Sequence, residues 1–192
     1  MEAVRLTDGT TLDAEVVVAG IGVVPNIALA ASAGLAVDRG VWCDTTLVTS
    51  HPDVLVAGDI AEAQHPLIAQ RVRVEHWANA LNQGLTAGAN AAGRRDVYDR
   101  VPYFFSDQYD TGMEYSGWPV PWDEVVFRGD PDEGRFVAFY LSERRVVGGA
   151  CVNVWDVNTH VQDVIRSGVS VPLEVLADVD VDPQQWLAVA GS

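Results

Sequence analysis

The residue pair whose chemistry is easiest to interpret is Gly58-Asp59, which closes residues 49–59 (T-S-H-P-D-V-L-V-A-G-D). The short apolar run at 54–57 lies between turn residues, which predicts a strand buried on both faces of a parallel sheet. Gly58 would let a ligand approach where a side chain would block it. Asp59 would then stand at the carboxyl end of that strand, where open α/β sheets bind ligands, and its carboxylate suits sugar hydroxyls. A plain turn that ends a core strand is the alternative interpretation.

A second glycine pair, Gly20 and Gly22, follows residues 14–19, whose three successive valines predict another buried strand. Two glycines after a strand permit close approach to a cofactor. G-I-G alone is a weak pattern, however, since it lacks the third glycine of a dinucleotide-binding fingerprint. A short helix is predicted next, over residues 27–33.

Residues 75–92 give the strongest helix prediction in the chain, because apolar residues recur at helical spacing and Gly93 supplies an end. The many small residues would let this helix lie close to a sheet or a ligand. Glu75 and His76 begin it and suggest a general acid. The plainer interpretation is that both are exposed first-turn residues, with Glu75 favoured there by the helix dipole.

The remaining elements divide the chain into two classes of fold. Asp8-Gly9 predicts a hairpin between residues 4–6 and 11–13, and residues 60–73 suggest a loop with a short helical piece. The second half predicts an antiparallel meander followed by helices, with strands at 103–107, 113–115, 124–127, 135–141 and 145–152, helices at 157–167 and 173–177, and a mobile acidic tail. We therefore expect an α/β unit followed by an α+β domain.

The composition of the chain argues against several classes of function. The chain has 192 residues, 48% of them hydrophobic, and a formal net charge of −15, which argues against nucleic-acid binding. No run reaches the roughly 18 apolar residues that a spanning helix needs, and no signal peptide opens the chain, so we expect no membrane contact and a cytoplasmic location. Cys43 and Cys151 lie far apart without a C-x-x-C pair, which predicts buried apolar fillers rather than dithiol or metal chemistry.

Several motifs together resemble one family. The order L-x-D-G-x-x-L-x-A-x-x-V-x-A-G-I-G-x-x-P-N-x-x-L-A-x-x-A-G-L, the stretch 49–59, V-E-H-W-A-N-A at 74–80 and P-Y-F-F-S-D-Q at 102–108 succeed one another. This succession is similar to the FAD-dependent pyridine nucleotide-disulfide oxidoreductases of the ferredoxin-reductase type, such as putidaredoxin and rubredoxin reductases. The family usually has Trp where this chain has Tyr103 and Phe105, which puts in doubt a role that needs an indole N–H.

The resemblance implies a partial FAD site. It assigns Asp59 to the ribityl chain, the helix start at Trp77 and Ala78 to the pyrimidine end of the flavin, and Phe105 to the flavin edge. Gly58, Glu75, His76, Gly20 and Gly22 complete the implied cofactor contacts, with no catalytic side chain and no metal ligand. It also implies three parts: an NAD(P)H-domain remnant at 1–16, the carboxyl-terminal part of an FAD-binding domain at 17–100, and a reductase C-terminal domain at 101–192.

The implied function is the carboxyl-terminal portion of a reductase that passes electrons from NAD(P)H through FAD to a ferredoxin-type [2Fe–2S] protein. Since no G-x-G-x-x-G is present, we expect this portion to be inactive alone and to pair with a missing amino-terminal segment or with itself. Four arginines suggest a docking patch for an acidic ferredoxin: Arg71, Arg73, Arg94 and Arg95. The alternative is a non-catalytic interaction module that uses the α+β domain.

Overall fold

The computed structural model describes residues 2–190, and the first strands form the predicted hairpin. Strands β1 (Ala3–Arg5) and β2 (Thr11–Asp13) pair antiparallel. The strand predicted at 14–19 is wrong: residues 14–24 have no regular structure, and Val16 and Val18 are 79% and 91% exposed. Valines specify a strand only if a neighbouring strand supplies hydrogen bonds, and within residues 2–190 none pairs with this segment.

A small mixed sheet follows a short helix, α1 (Ala28–Ser32). Its strands are β3 (Val41–Cys43), β4 (Ala61–His65) and β5 (Gln70–Val72), in the order β3-β4-β5, with β3 and β4 parallel. The hairpin β4–β5 replaces the loop with a helical piece predicted for 60–73. The strand predicted at 54–57 is also wrong, since this run makes only one bridge, between Val48 and Leu55. The parallel strand therefore follows Gly58-Asp59 instead of preceding it.

Helix α2 (Trp77–Ala91) confirms the strongest helix prediction. Gly93 follows it with φ +96°, a left-handed conformation that glycine adopts without strain. Cys43 is buried beneath this part of the fold with Leu47, Ala61, Ala63 and Tyr98.

The second half contains the predicted antiparallel sheet with a different strand order. Its strands are β6 (Tyr103–Gln108), β7 (Thr111–Gly117), β8 (Glu124–Asp130), β9 (Arg135–Ser142) and β10 (Arg145–Val152). The order β6-β7-β10-β9-β8 corrects the simple meander, because β10 lies between β7 and β9. Residues 118–123 therefore carry the chain from β7 to the far edge of the sheet.

Helices cover one face of this sheet and close its core. Helix α3 (Asn158–Ser167) packs against β10 and β7, and α4 (Leu173–Ala177) packs against β8. The tail was predicted to be mobile, but it forms a 3₁₀ turn (Pro183–Gln185) and α5 (Trp186–Val189). Trp186 is fully buried edge-on against Phe139, and this burial fixes the tail. Within residues 2–190 no helix is long and apolar enough to cross a bilayer.

Candidate functional site

The Gly58-Asp59 turn is docked on helix α2. Gly58 is buried with φ +81°, and its N–H donates a hydrogen bond to Gln83 Oε1 at 2.8 Å. A Cβ on Gly58 would lie 3.5 Å from the Cβ of Ala80, so the turn packs directly against the helix. The Asp59 side chain is left exposed at the edge of this contact.

Arg73 links this turn to the residues before α2. Its guanidinium donates to the Asp59 carbonyl at 3.1 Å and forms an ion pair with Glu75. Arg73 is only one-fifth exposed. The link holds the backbone of Asp59 beside the approach to the helix.

The first turn of α2 is fixed by buried polar side chains. His76 is the extended residue that precedes the helix, and its side chain caps no backbone N–H. Asn79 Nδ2 donates to the Val74 carbonyl at 3.0 Å, while the Tyr98 hydroxyl donates to Asn79 Oδ1 at 2.9 Å. The first N–H groups of a helix have no acceptor within it, so Trp77 and Ala78 present donors with partial positive charge.

These donors border an apolar hollow of about 590 Å³, which we call the Trp77 hollow. It is lined by Glu75, His76, Trp77, Ala78, Tyr103, Phe104 and Phe105. Trp77 and Phe105 are 74% and 57% exposed, so large aromatic surfaces stand open to solvent at its rim. A cavity with apolar walls and a few polar groups at one edge suits a flat organic ligand.

His76 stands in the wall of this hollow beside Phe104, their ring centroids 4.6 Å apart. Burial lowers the pKa of His76, whereas the carboxylates of Asp59 and Glu75 act in the opposite direction. Its Nδ1 is buried without a hydrogen-bond partner among residues 2–190. The ring is half-buried, not the freely exposed first-turn residue of the plainer interpretation.

The structure brings most of the implied cofactor residues together. Five of them, from Glu75 to Ala78 together with Phe105, line the Trp77 hollow. Gly58 and Asp59 lie beside the helix that opens it. Gly20 and Gly22 belong to the exposed segment 14–24 and do not line the hollow.

Three of the four arginines of the suggested docking patch are engaged within the chain. Arg73 holds Asp59 and Glu75, Arg94 pairs with Asp96 at 2.9 Å, and Arg71 lies 4.3 Å from the ring centroid of Trp42. An arginine that already neutralises a carboxylate attracts an acidic partner less strongly.

The sequence reasoning missed Gln83 and Asn79, which fix the turn and the helix start. Both side chains are buried, at 3% and 4% exposure. Their spacing of four residues puts them on one face of the helix. Two amide side chains on one face of a helix rich in small residues could have predicted that this face is buried and that its amides form hydrogen bonds.

A parallel strand pair, a glycine turn against a helix and an aromatic hollow are features that α/β proteins with nucleotide cofactors share. A family model described as Pyridine nucleotide-disulphide oxidoreductase matches residues 1–84, and one described as Reductase C-terminal matches residues 103–187. The chain belongs to the pyridine nucleotide-disulphide oxidoreductase family and carries its reductase C-terminal domain.

Individual relatives agree with both family matches. The chain is 37% identical over 186 residues to the anthranilate 1,2-dioxygenase system ferredoxin–NAD(+) reductase component of Burkholderia cepacia, covering 96% of this chain and 46% of the relative. It is 34% identical over 188 residues to putidaredoxin reductase of Pseudomonas putida, covering 98% and 44%. The crystal structure of the covalent putidaredoxin reductase–putidaredoxin complex matches with a TM-score of 0.90 at 34% identity, over 100% of this chain and 46% of that chain. The chain thus spans about half the length of these relatives.

Proposed function

We propose that this chain forms the flavin-ring side of a reductase that passes electrons from NAD(P)H through FAD to a ferredoxin-type [2Fe–2S] protein. One observation supports the proposal most strongly. The amino end of α2 and Phe105 line the Trp77 hollow, and the Gly58-Asp59 turn packs against the same helix at Ala80 and Gln83. We also propose that the chain has three parts with boundaries at residues 16 and 100. The location that we propose is the cytoplasm.

The residues present fit the flavin end of FAD. The Trp77 hollow, at about 590 Å³, is within the size range of small-molecule sites. Its aromatic wall suits a flat ring, and the first-turn N–H groups of α2 suit the anionic pyrimidine edge of a reduced flavin. The exposed carboxylate of Asp59 would accept hydrogen bonds from the ribityl hydroxyls. Gly58 would leave room for the ribityl chain, and Glu75 and His76 would flank the ring.

Bound FAD would accept a hydride from NAD(P)H and release electrons singly, which a one-electron acceptor requires. The chain's own contribution is to hold and orient the ring. Arg73 keeps Asp59 and Glu75 in place, and the Asn79–Tyr98 hydrogen bond keeps the helix start in place. Phe105, which is exposed at the rim of the hollow, would cover one side of the bound ring.

The first experiment is titration of the purified chain with FAD, followed by the flavin absorption spectrum. We expect weak binding, because the sequence has no glycine-rich loop to hold the pyrophosphate. A complementary amino-terminal polypeptide from a relative should restore tight FAD binding and NADH-dependent reduction of ferricyanide. Tight stoichiometric FAD on this chain alone would contradict the partial site.

The complex of this chain with the complementary amino-terminal polypeptide is called the restored complex below. Asp59→Ala in the restored complex tests the proposed contact between Asp59 and the ribityl chain. A hydrogen bond to a charged group contributes about 1.5–3 kcal/mol, so the FAD dissociation constant should rise at least tenfold. Asp53→Ala removes another exposed carboxylate from the preceding turn and is the matched control. Equal FAD affinity in the two variants would refute the role of Asp59.

The exposed valines of residues 14–24 favour a second part of the proposal. A valine-rich segment without a pairing strand is a ready site for strand addition. We propose that it pairs either with an amino-terminal reductase segment or with a second copy of the chain. Sedimentation of the chain with and without the complementary polypeptide checks this, and a strictly monomeric chain in both would contradict it.

A further inference from the structure

A second hollow lies on the other side of His76, and we call it the Tyr115 hollow. Its volume is about 410 Å³. It is lined by Arg73, Val74, Glu75, His76, Pro102, Phe104, Tyr115, Gly117, Trp118 and Pro119. Of the proposed flavin contacts, Glu75 and His76 also line it, whereas Asp59, Trp77, Ala78 and Phe105 do not, so it adjoins the Trp77 hollow without coinciding with it.

Tyr115 lies over glycine backbone at one side of the hollow. The Tyr115 hydroxyl lies over Gly117 and Gly148, and a Cβ on either glycine would stand 2.7 Å from that oxygen. On Gly117 the added Cβ would also lie 2.6 Å from the Cα of Gly148. Any side chain at these positions would therefore push Tyr115 away and fill the space beside it.

The walls are aromatic and offer hydrogen-bond donors. The Phe104 and Tyr115 ring centroids are 5.2 Å apart, and Trp118 is nearly buried beside them. The cationic Arg73 lies at one side, and His76 carries the buried Nδ1 that has no partner within residues 2–190. Flat rings pack on such walls, and ring carbonyl oxygens accept hydrogen bonds from such donors.

The two hollows share a wall at His76 and Phe104. Both residues, together with Glu75, line the Trp77 hollow and the Tyr115 hollow. The two rings are tilted by 51° to each other, with centroids 4.6 Å apart. A molecule in the Tyr115 hollow would thus lie about one ring away from the flavin position of the proposed function.

We propose that the Tyr115 hollow binds a small quinone, and that the complete reductase reduces this quinone. This inference rests on the proposed function for its electrons. The reaction balances as NAD(P)H + H⁺ + quinone → NAD(P)⁺ + hydroquinone. The two C=O oxygens of the quinone gain the protons. We assign the transfer of one of these protons to His76, which faces Glu75 and Arg73 along its own segment, Asp59 on the neighbouring turn, and Phe104 and Tyr115 across the hollow.

Binding is testable on the chain alone, with menadione as the probe and two-dimensional amide NMR as the readout. Menadione should shift the amide signals of Gly117 and Trp118. Tyr115→Ala and His76→Leu should each weaken binding at least tenfold, whereas His51→Leu, which alters an exposed histidine, should change it less than twofold. Unchanged spectra away from the hollow establish that each variant is folded.

Two further comparisons locate the probe and test its chemical class. Phe105→Ala alters the Trp77 hollow only, so a larger loss of binding there than in Tyr115→Ala would overturn the assignment. Adenosine is flat but lacks quinone carbonyls, and it should bind at least tenfold more weakly. Equal binding of adenosine and menadione would overturn the quinone class.

The restored complex separates this inference from the proposed function. If it reduces both ferricyanide and menadione, and Tyr115→Ala slows menadione reduction selectively, the inference gains support. If it reduces ferricyanide but not menadione, quinone reduction is refuted and the proposed function stands. If it reduces neither acceptor although FAD is bound, the proposed function itself fails, while menadione binding by the chain alone still decides the site.

Discussion

Gln83→Leu should destabilise the fold through one hydrogen bond. The Gly58 N–H donates to Gln83 Oε1 at 2.8 Å in a buried setting, and Gln83 is 3% exposed. Leucine has nearly the same size but offers no acceptor, so the N–H would remain buried and unpaired. Such a group costs about 1–3 kcal/mol. We expect the free energy of unfolding to fall by that amount.

Urea unfolding of the whole chain measures this change as a lower midpoint at constant slope. Leu85→Ala, on the exposed side of the same helix, is the control and should stay within about 0.5 kcal/mol. Hydrogen exchange gives a local readout, since the Gly58 amide should be protected in the native chain and exchange faster in Gln83→Leu. A variant with native stability and a still-protected Gly58 amide would refute the claim that Gln83 anchors the turn.

Three further changes have defined outcomes. Burial lowers the pKa of His65 below its ordinary 6.5, so on acidification the unfolded chain binds a proton that the folded chain does not. The free energy of unfolding should therefore fall as the pH drops below 6.5, and it should fall less steeply in His65→Phe. Urea midpoints measured from pH 7 to 5 would show the difference. Trp186→Ala should cost about 3–5 kcal/mol by thermal or urea unfolding, because it empties a fully buried site; a loss below 1 kcal/mol would mean that the tail is not part of the core. Gly117→Ala should destabilise by about 1–3 kcal/mol, since the new Cβ would meet backbone, and its menadione affinity should fall as Tyr115 is displaced.

Local patterns in the sequence predicted the elements that depend on local interactions. Helix α2, the first hairpin and the five strands of the second sheet all lie where periodicity and turn residues put them. The strand predictions for the apolar runs at 14–19 and 54–57 were wrong for the same reason. Hydrophobicity indicates that a segment is to be buried, but it does not show which element packs on that segment. A β-strand forms only where a neighbouring strand supplies hydrogen bonds.

The sequence predicted several residues of the candidate site, but it did not predict the contacts that hold these residues together. Trp77, Ala78 and Phe105 do share a hollow, and that hollow was expected from family motifs. Arg73 was interpreted as a surface charge, yet it ties Asp59 to Glu75. Contacts between residues far apart in sequence leave no periodic signal, which also explains why the buried position of Trp186 was missed.

Helix α2 owes its orientation to contacts outside itself. At its start, Asn79 bonds to Val74 and Tyr98; at its end, Asn90 bonds to the carbonyls of Thr46 and Asp96 at 2.8 and 2.9 Å. Tyr98 belongs to the joint between the two halves, where His65 packs 4.4 Å from the ring of Trp118. The helix start is therefore held by residues of the first half, and the second half meets this part of the fold at the joint beside Tyr98.

The reductase C-terminal domain accordingly has a structural role at the proposed flavin site besides supplying Phe105. Phe104 and Tyr103 form part of the same wall, and the segment that carries them follows directly from the joint at Tyr98. Loosening that joint would move the aromatic wall and the helix donors together. Flavin binding and the packing of the two halves should for this reason stabilise each other, with FAD raising the unfolding temperature of both halves in parallel in the restored complex.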